Sequence, residues 1–350
     1  MKIKIFALLM AVFMMFSLTS CSAFDDLADK KSDKKEKTTQ NSDEDEIESE
    51  DEDDENKKDN EDDLLDTEPV GSALLYKVTD GDGGVVWLFG SIHVGRDSFF
   101  PLPDYVEDAF ESSDALAVEF DIIEFEGNLL AQLAAQSVMM YTGGKQITDV
   151  ISDELYNEAV EILKENGKYQ RGLERFLPIM WSSMIDNCTN ELVGVDISLG
   201  IDRYLINEAY DADKDIIDIE SATLQYNVFA NFSEELQIFM IEDSIEKYRD
   251  LESYEEALDD MMDAWEDGDA DGIMDELDHD ANFTKEEIEL YEEYYEELIY
   301  DRNDTMTEFA EDALKSGDET FICVGAAHVI GEDGMANQLS EMGYTVEIVK

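Results

Sequence analysis

The chain has 350 residues, 43% of them hydrophobic, which is enough for one large domain or two small ones with a real core. With 89 acidic against 24 basic residues its formal net charge is −65. A polyanion of this kind excludes nucleic acid as a partner, because phosphate recognition depends on Lys and Arg. Three cysteines are too few for a disulfide framework.

Lys2 and Lys4 precede an apolar run from Ile5 to Leu18. The run is shorter than the roughly 20 residues of a membrane span and fits the core of a signal peptide. It ends Leu18-Thr19-Ser20-Cys21, which resembles the lipobox of bacterial lipoproteins. That resemblance implies a signal peptide over 1–20, diacylation of Cys21 and an extracytoplasmic, membrane-anchored location. Residues 21–70 are mostly Asp, Glu, Lys, Ser and Asn, too polar to bury a core, and read as an acidic tether. The folded domain is expected over 71–350.

Ala73 to Thr79 and Val85 to Phe89 read as strands around the turn Asp80-Gly81-Asp82-Gly83-Gly84, hence a hairpin. Pro103 to Ser112 predicts a helix with proline near its first turn. Ala115 to Phe120, Asp215 to Glu220, Thr320 to Gly325 and Tyr344 to Val349 predict further strands. Helical periodicity covers Leu129 to Met140, Asp153 to Asn166, Ile201 to Ala212, Glu234 to Trp265, Thr284 to Lys315 and Met335 to Met342. The Thr284 helix opens with a capping box and carries Ile288, Tyr291, Tyr295, Leu298 and Arg302 on one face. Strands separated by helices predict an α/β (α+β) fold: a central, mostly parallel sheet with a hairpin at its N-terminal side. A large helical insertion covers the strand ends. Ligands in such sheets gather at the carboxyl ends of the strands.

Two segments there share a plan. Val85 to Phe89 leads into Gly90-Ser91-Ile92-His93, and Thr320 to Val324 leads into Gly325-Ala326-Ala327-His328. A glycine is expected to let the chain turn sharply off each strand. The histidine three positions on then lands beyond the strand end, and neighbouring strands would bring the two imidazoles together. The chain has three histidines in all, the third being His279 in an acidic loop. Glu119 and Glu220 close two other strands, where an unpaired buried carboxylate would be costly. Two His and a carboxylate with open positions make a catalytic metal set. Glu119 is the expected third ligand, and Glu220 the group that orients or activates water. Arg302 is expected on a buried helix face, pairing with Glu220 or Asp202 or steadying a developing oxyanion. Cys323, in an apolar run, is expected to be a buried inert thiol.

The segment Asp267-Gly268-Asp269-Ala270-Asp271-Gly272 begins like a calcium-binding EF-hand loop. Its twelfth position is Asp278 where Glu is wanted, so a turn between helices is the favoured reading.

WLFGSIHVG (87–95), FPLPDYVEDAFESSDALAVEFD (100–121), GIDRYL (200–205), DIIDIES (215–221), DRNDTM (301–306) and FICVGAAHVIGEDGMANQLSEMGYTVEIV (321–349) resemble the blocks of the TraB/PrgY/GumN family. The resemblance implies a metal-dependent peptidase-like fold. The family's paired His match His93 and His328, and its acidic residues match Glu119 and Glu220. Its late Arg-Asn matches Arg302 and Asn303, and Asp202 matches the Gly-x-Asp block. The family includes the animal Tiki metalloproteases and PrgY-like members that limit peptide pheromone activity. The expected function is a lipid-anchored hydrolase using a divalent metal (Mn, Co or Zn) on peptides or protein tails. The alternative is a surface protein that sequesters a peptide, metal or haem in the same pocket.

Overall fold

The computed structural model describes residues 74–278 and 283–350. The expected signal peptide, Cys21, the acidic tether and His279 lie outside the described residues. Six strands form one sheet: β1 (Leu75–Thr79), β2 (Val85–Ser91), β3 (Ala115–Val118), β4 (Asp215–Asp218), β5 (Thr320–Gly325) and β6 (Thr345–Val349). Their order is β4-β3-β5-β2-β1-β6. The pairs β4–β3, β3–β5 and β5–β2 are parallel, and β1 alone runs the other way, antiparallel to both β2 and β6. The expected hairpin is therefore β1–β2. Its turn is held by Asp80, whose Oδ1 accepts from the N–H groups of Asp82, Gly83 and Gly84 at 2.7–2.9 Å.

The helices are α1 (Asp104–Ser112), α2 (Ile122–Gly127), α3 (Leu129–Val138), α4 (Asp153–Glu165), α5 (Pro178–Val193), α6 (Ile201–Asp211), α7 (Ala222–Asn231), α8 (Glu234–Arg249), α9 (Leu251–Glu266), α10 (Ala270–Leu277), α11 (Lys285–Tyr295), α12 (Asp301–Ser316), α13 (Ala326–Val329) and α14 (Met335–Glu341). Central β5 is buried along its whole length. Phe321 on it meets Phe89 of β2 and Phe110 of α1, with ring centroids 5.7 Å apart in both pairs. Among the described residues no helix is long and apolar enough to cross a membrane.

Two helical expectations are corrected, and one helix is new. The pattern from Glu234 to Trp265 is two helices, broken where Asp250 leaves helical geometry and caps α9 through Ser253 N–H. The Thr284 helix keeps its capping box, but between α11 and α12 it widens into a π-helical stretch, Glu296–Tyr300. Helix α5 carries no clean apolar stripe and so has no sequence signature. It is buried on nearly every side, its Ser182, Ser183, Asp186, Thr189 and Asn190 included. The calcium loop is not formed: Asp269 caps α10 by accepting from Gly272 N–H at 3.0 Å, and Asp271 lies within that helix.

Ser182 and Ser244 share a 2.8 Å hydrogen bond where α5 packs on α8, and Tyr254 of α9 donates to Asn190 of α5 at 2.6 Å. Asp186 is buried beside Lys247, which is itself ion-paired with Asp243; Tyr254 and Tyr294 complete the surroundings. Burial pushes Asp186 up to about 7, with Lys247 offsetting only part of the effect. Between pH ~4 and ~7 the folded protein thus holds a proton that the unfolded chain has released, so this group removes stability as pH rises. Asp186→Asn is expected to gain on the order of 2–4 kcal/mol over the parent at pH 8 and nothing at pH 4. Urea unfolding of both proteins across that range measures it, and a pH-independent difference contradicts it.

Candidate metal centre

The strands deliver the site residues to one end of the sheet. β2 and β5 are parallel neighbours, with Gly90 opposite Val324 and Ser91 opposite Gly325. Beyond β3 and β4 the pairing continues for two residues: Ile219 N–H donates to Val118 C=O at 2.9 Å and Glu220 N–H to Glu119 C=O at 2.8 Å. The two carboxylates therefore emerge side by side. They would repel each other in a dry interior without a cation.

Arg302 supplies it. Its Nε donates to Glu220 Oε1 at 2.9 Å, its Nη2 to Glu220 Oε2 at 2.8 Å and to Glu119 Oε2 at 2.7 Å. Its Nη1 donates to Leu298 C=O in the π-helical stretch, at 2.8 Å. Arg302 is 6% exposed, and both carboxylates are 8% exposed. Burial alone would raise the Glu119 carboxyl, but Arg302 and the neighbouring groups hold it well below the usual carboxylate range. The expected pairing with Glu220 is present and extends to Glu119. Asp202, the other expected partner, sits elsewhere, beside His93.

The imidazoles are each anchored through Nδ1. His328 Nδ1 lies 2.7 Å from Asn303 Oδ1, and Asn303 Nδ2 donates to Asp333 C=O at 2.9 Å. The second bond fixes the amide so that its oxygen faces the ring, which places a proton on Nδ1 and leaves the Nε2 lone pair free. His93 Nδ1 lies 3.2 Å from Asp202 Oδ1, in ion-pair contact without good hydrogen-bond alignment. Asp202 reaches it because Ile201 N–H, next to it in α6, bonds Ile92 C=O at 3.0 Å. The environments differ. Burial works against charge on His93, but Asp202 and Glu119 outweigh it and raise its pKa to about 9. Burial and then Arg302 push His328 down to about 3, which keeps it neutral.

The reason for the glycines is corrected. Neither Gly90 nor Gly325 has a positive φ. A Cβ on Gly90 would stand 3.0 Å from Ala326 Cα, so Gly90 permits a close chain approach. A Cβ on Gly325 would stand 3.5 Å from Glu119 Oε1, 3.7 Å from the His328 ring and 3.8 Å from His93 Nε2. Gly325 is the floor of the space where all three side chains meet, and its N–H donates to Glu119 Oε1 at 3.0 Å.

Two imidazoles and a carboxylate face the space above Gly325. His328 Nε2 stands 3.9 Å from Glu119 Oε1. Bonds of ~2.1 Å in a tetrahedral set would bring donors to roughly 3.4 Å. Among the described residues no group of three or more His, Cys, Asp and Glu side chains stands at metal-holding distances.

One contributor was missed from sequence. Gln225, in the first turns of α7, donates through Nε2 to Glu119 Oε2 at 2.9 Å and to Glu220 Oε2 at 2.8 Å. Its spacing of five from Glu220 is the only signal for it, and an isolated Gln in a helix carries no chemistry by itself. Cys323 is buried and burial raises its thiol well above the ordinary value, as expected for an inert group.

Fold and site together define an α/β protein with a mixed sheet, at one end of which paired histidines meet two carboxylates bridged by an arginine. The TraB/PrgY/gumN family model matches residues 74–348, and the chain belongs to that family. No curated protein and no solved structure gives a match.

Arg302→Met would strand two buried carboxylates. It is expected to cost about 3–5 kcal/mol in chemical unfolding, with partial recovery when Glu119→Gln and Glu220→Gln are added. An Arg302→Met protein as stable as the parent contradicts this role. Gly325→Ala meets only ordinary van der Waals contacts. It should keep the thermal midpoint within a few degrees, as read by scanning calorimetry.

Proposed function

We propose that this chain is a metal-dependent hydrolase acting on peptides or protein tails, lipid-anchored through Cys21 on the outer side of a membrane. The observation that supports it most is the convergence of His93 Nε2, His328 and Glu119 Oε1 on the space above Gly325. Both rings are backed at Nδ1 by an oxygen, the arrangement that orients histidine ligands. His93, His328 and Glu119 would hold a divalent ion (Mn, Co or Zn). Such an ion, when bound, supplies an acidified water and polarises a carbonyl.

The other groups position these ligands. Asn303 and Asp202 set the ring orientations. Arg302, with its donors taken by Glu119, Glu220 and Leu298, fixes the ligand carboxylate and is a positioning residue. Glu220, clamped by Arg302 and Gln225, does the same from the far side. This differs from a free base at Glu220, and it favours one alternative: a protein that captures a peptide, metal or haem without turnover.

Metal analysis of the purified protein with His93→Ala and His328→Ala, alongside peptide-library cleavage followed by mass spectrometry, tests both readings. The hydrolase reading expects each variant to lose metal about tenfold or more and to lose cleavage. Unchanged metal content in both variants removes it, and stoichiometric capture without cleavage selects the alternative.

A further inference from the structure

Helix α3 is apolar on both of its sides. A helix at a protein surface ordinarily turns its apolar stripe inward and its charged residues outward. The inward side of α3 is of the ordinary kind, with Ala135 and, just past its end, Met139 buried. Its outward positions are Leu130, Ala134 and Ser137, spaced four and three apart and so on one face, with Leu129 beside them. Leu130 is 78% exposed and Leu129 is 57% exposed. From Gly127 to Gly144 no residue is charged, in a chain where 32% of residues are.

The helix packed against it repeats the pattern. From Ser221 to Ser233 again no residue is charged, and α7, which lies in that stretch, packs on α3. Leu224 of α7 is 44% exposed, while the next residue, Gln225, is buried and bonded to Glu119 and Glu220. Phe125, ahead of α3, meets Tyr226 of α7 with ring centroids 6.0 Å apart. Gln132 Nε2 donates to Phe125 C=O at 3.1 Å and fixes the corner between α2 and α3. The exposed leucines therefore stand on a packed base that continues into the carboxylate pair.

Exposed large apolar side chains grouped in this way mark an interaction surface. Charge selects the occupant. Exposed Glu124 and Glu126 lie on α2 just before α3, exposed Glu234 and Glu235 open α8 just after α7, and the whole chain carries −65. Such a field draws in cations and repels anions. A second copy brings the same large negative charge, and an anionic bilayer is of the same sign. A segment that is apolar on one side and basic on the other meets both features. We infer that the outer face of α3, with Leu224 of α7, docks a cationic amphipathic segment of another polypeptide, its apolar side on Leu129 and Leu130 and its Lys or Arg toward the acidic rim. That the docked polypeptide is also the one cut rests on the hydrolase reading above; the docking does not.

Calorimetric titration of the full chain tests it with three synthetic peptides, each acetylated and amidated. One is a Leu-Lys peptide patterned as an amphipathic helix, one has Ser in place of every Leu, and one has Gln in place of every Lys. The Leu-Lys peptide should bind about tenfold or more tightly than either of the others. Leu129→Ser and Leu130→Ser together should weaken it about tenfold or more and leave the Ser-Lys peptide unchanged. Leu224→Ser should weaken it by a smaller factor. Ile348→Ser, which removes a 62% exposed apolar residue on β6, should change neither affinity. All these positions are exposed, so the thermal midpoints should stay within a few degrees of the parent. No saturation by the Leu-Lys peptide, equal affinity for it and either of the other two, or an affinity unchanged in the double variant overturns the inference. A dimer in sedimentation, or binding to phosphatidylcholine vesicles, that the double variant abolishes also overturns it, since a second copy or a bilayer is then the occupant. Docking as expected while no peptide is cut removes the hydrolase reading alone. Peptide cleavage with no docking at Leu129 and Leu130 removes this inference alone.

Discussion

Glu119 and Glu220 leave adjacent parallel strands next to one another and are buried there, so everything at this end of the sheet depends on the one guanidinium that neutralises both. Two buried carboxylates without a cation would leave at least one protonated or displaced. Arginine suits this place because its planar fork reaches both partners at once, and a lysine would present a single point charge. The same contact ties α12 to the ends of β3 and β4, elements more than 80 positions apart along the chain. Gln225 adds a neutral donor to the same two oxygens, which leaves Glu119 with one face toward Arg302 and the other toward the histidines.

The π-helical stretch before α12 belongs to this arrangement. Such stretches occur often at functional sites because a wider turn re-aims the side chains that follow. Here Arg302 points to the carboxylates while the next residue, Asn303, points to His328. Consecutive residues serve two different first partners, and Leu298, within the stretch, gives its carbonyl to Arg302. A single helix thus sets both the charge balance of the carboxylate pair and the orientation of one imidazole.

The two histidines are held in unlike electrostatic surroundings although they approach one point. His93 faces Asp202 and favours its charged form, whereas burial and then Arg302 keep His328 neutral. His93 also lines two adjoining cavities, one reaching Glu119 and Asp202 and the other Trp265, where Trp265 brings the helical layer down onto the end of β2. The polar chemistry and the apolar surface are therefore contiguous, which is the composition expected of a binding pocket: mostly apolar, with a few convergent polar groups.

Much of this was legible in the sequence. Alternation and turn residues located the β1–β2 hairpin, the apolar runs located β3 and β5, and the repeated Gly-x-x-His plan placed His93 and His328 at strand ends. Acidic residues closing two apolar strands singled out Glu119 and Glu220, because a buried charge demands a partner. Helix α5 was not legible, since a helix buried on nearly every side shows no clean apolar stripe. Gln225 was not legible, since an amide gains meaning only from what it touches. By itself the sequence determined which residue types stand at which strand ends, because local periodicity is written residue by residue. Only the tertiary structure decided that Gly325 is small to leave room for three side chains, that Arg302 bridges both carboxylates, and that Asp202 belongs to His93. Those facts depend on distances between segments far apart in the chain, which packing fixes and spacing does not.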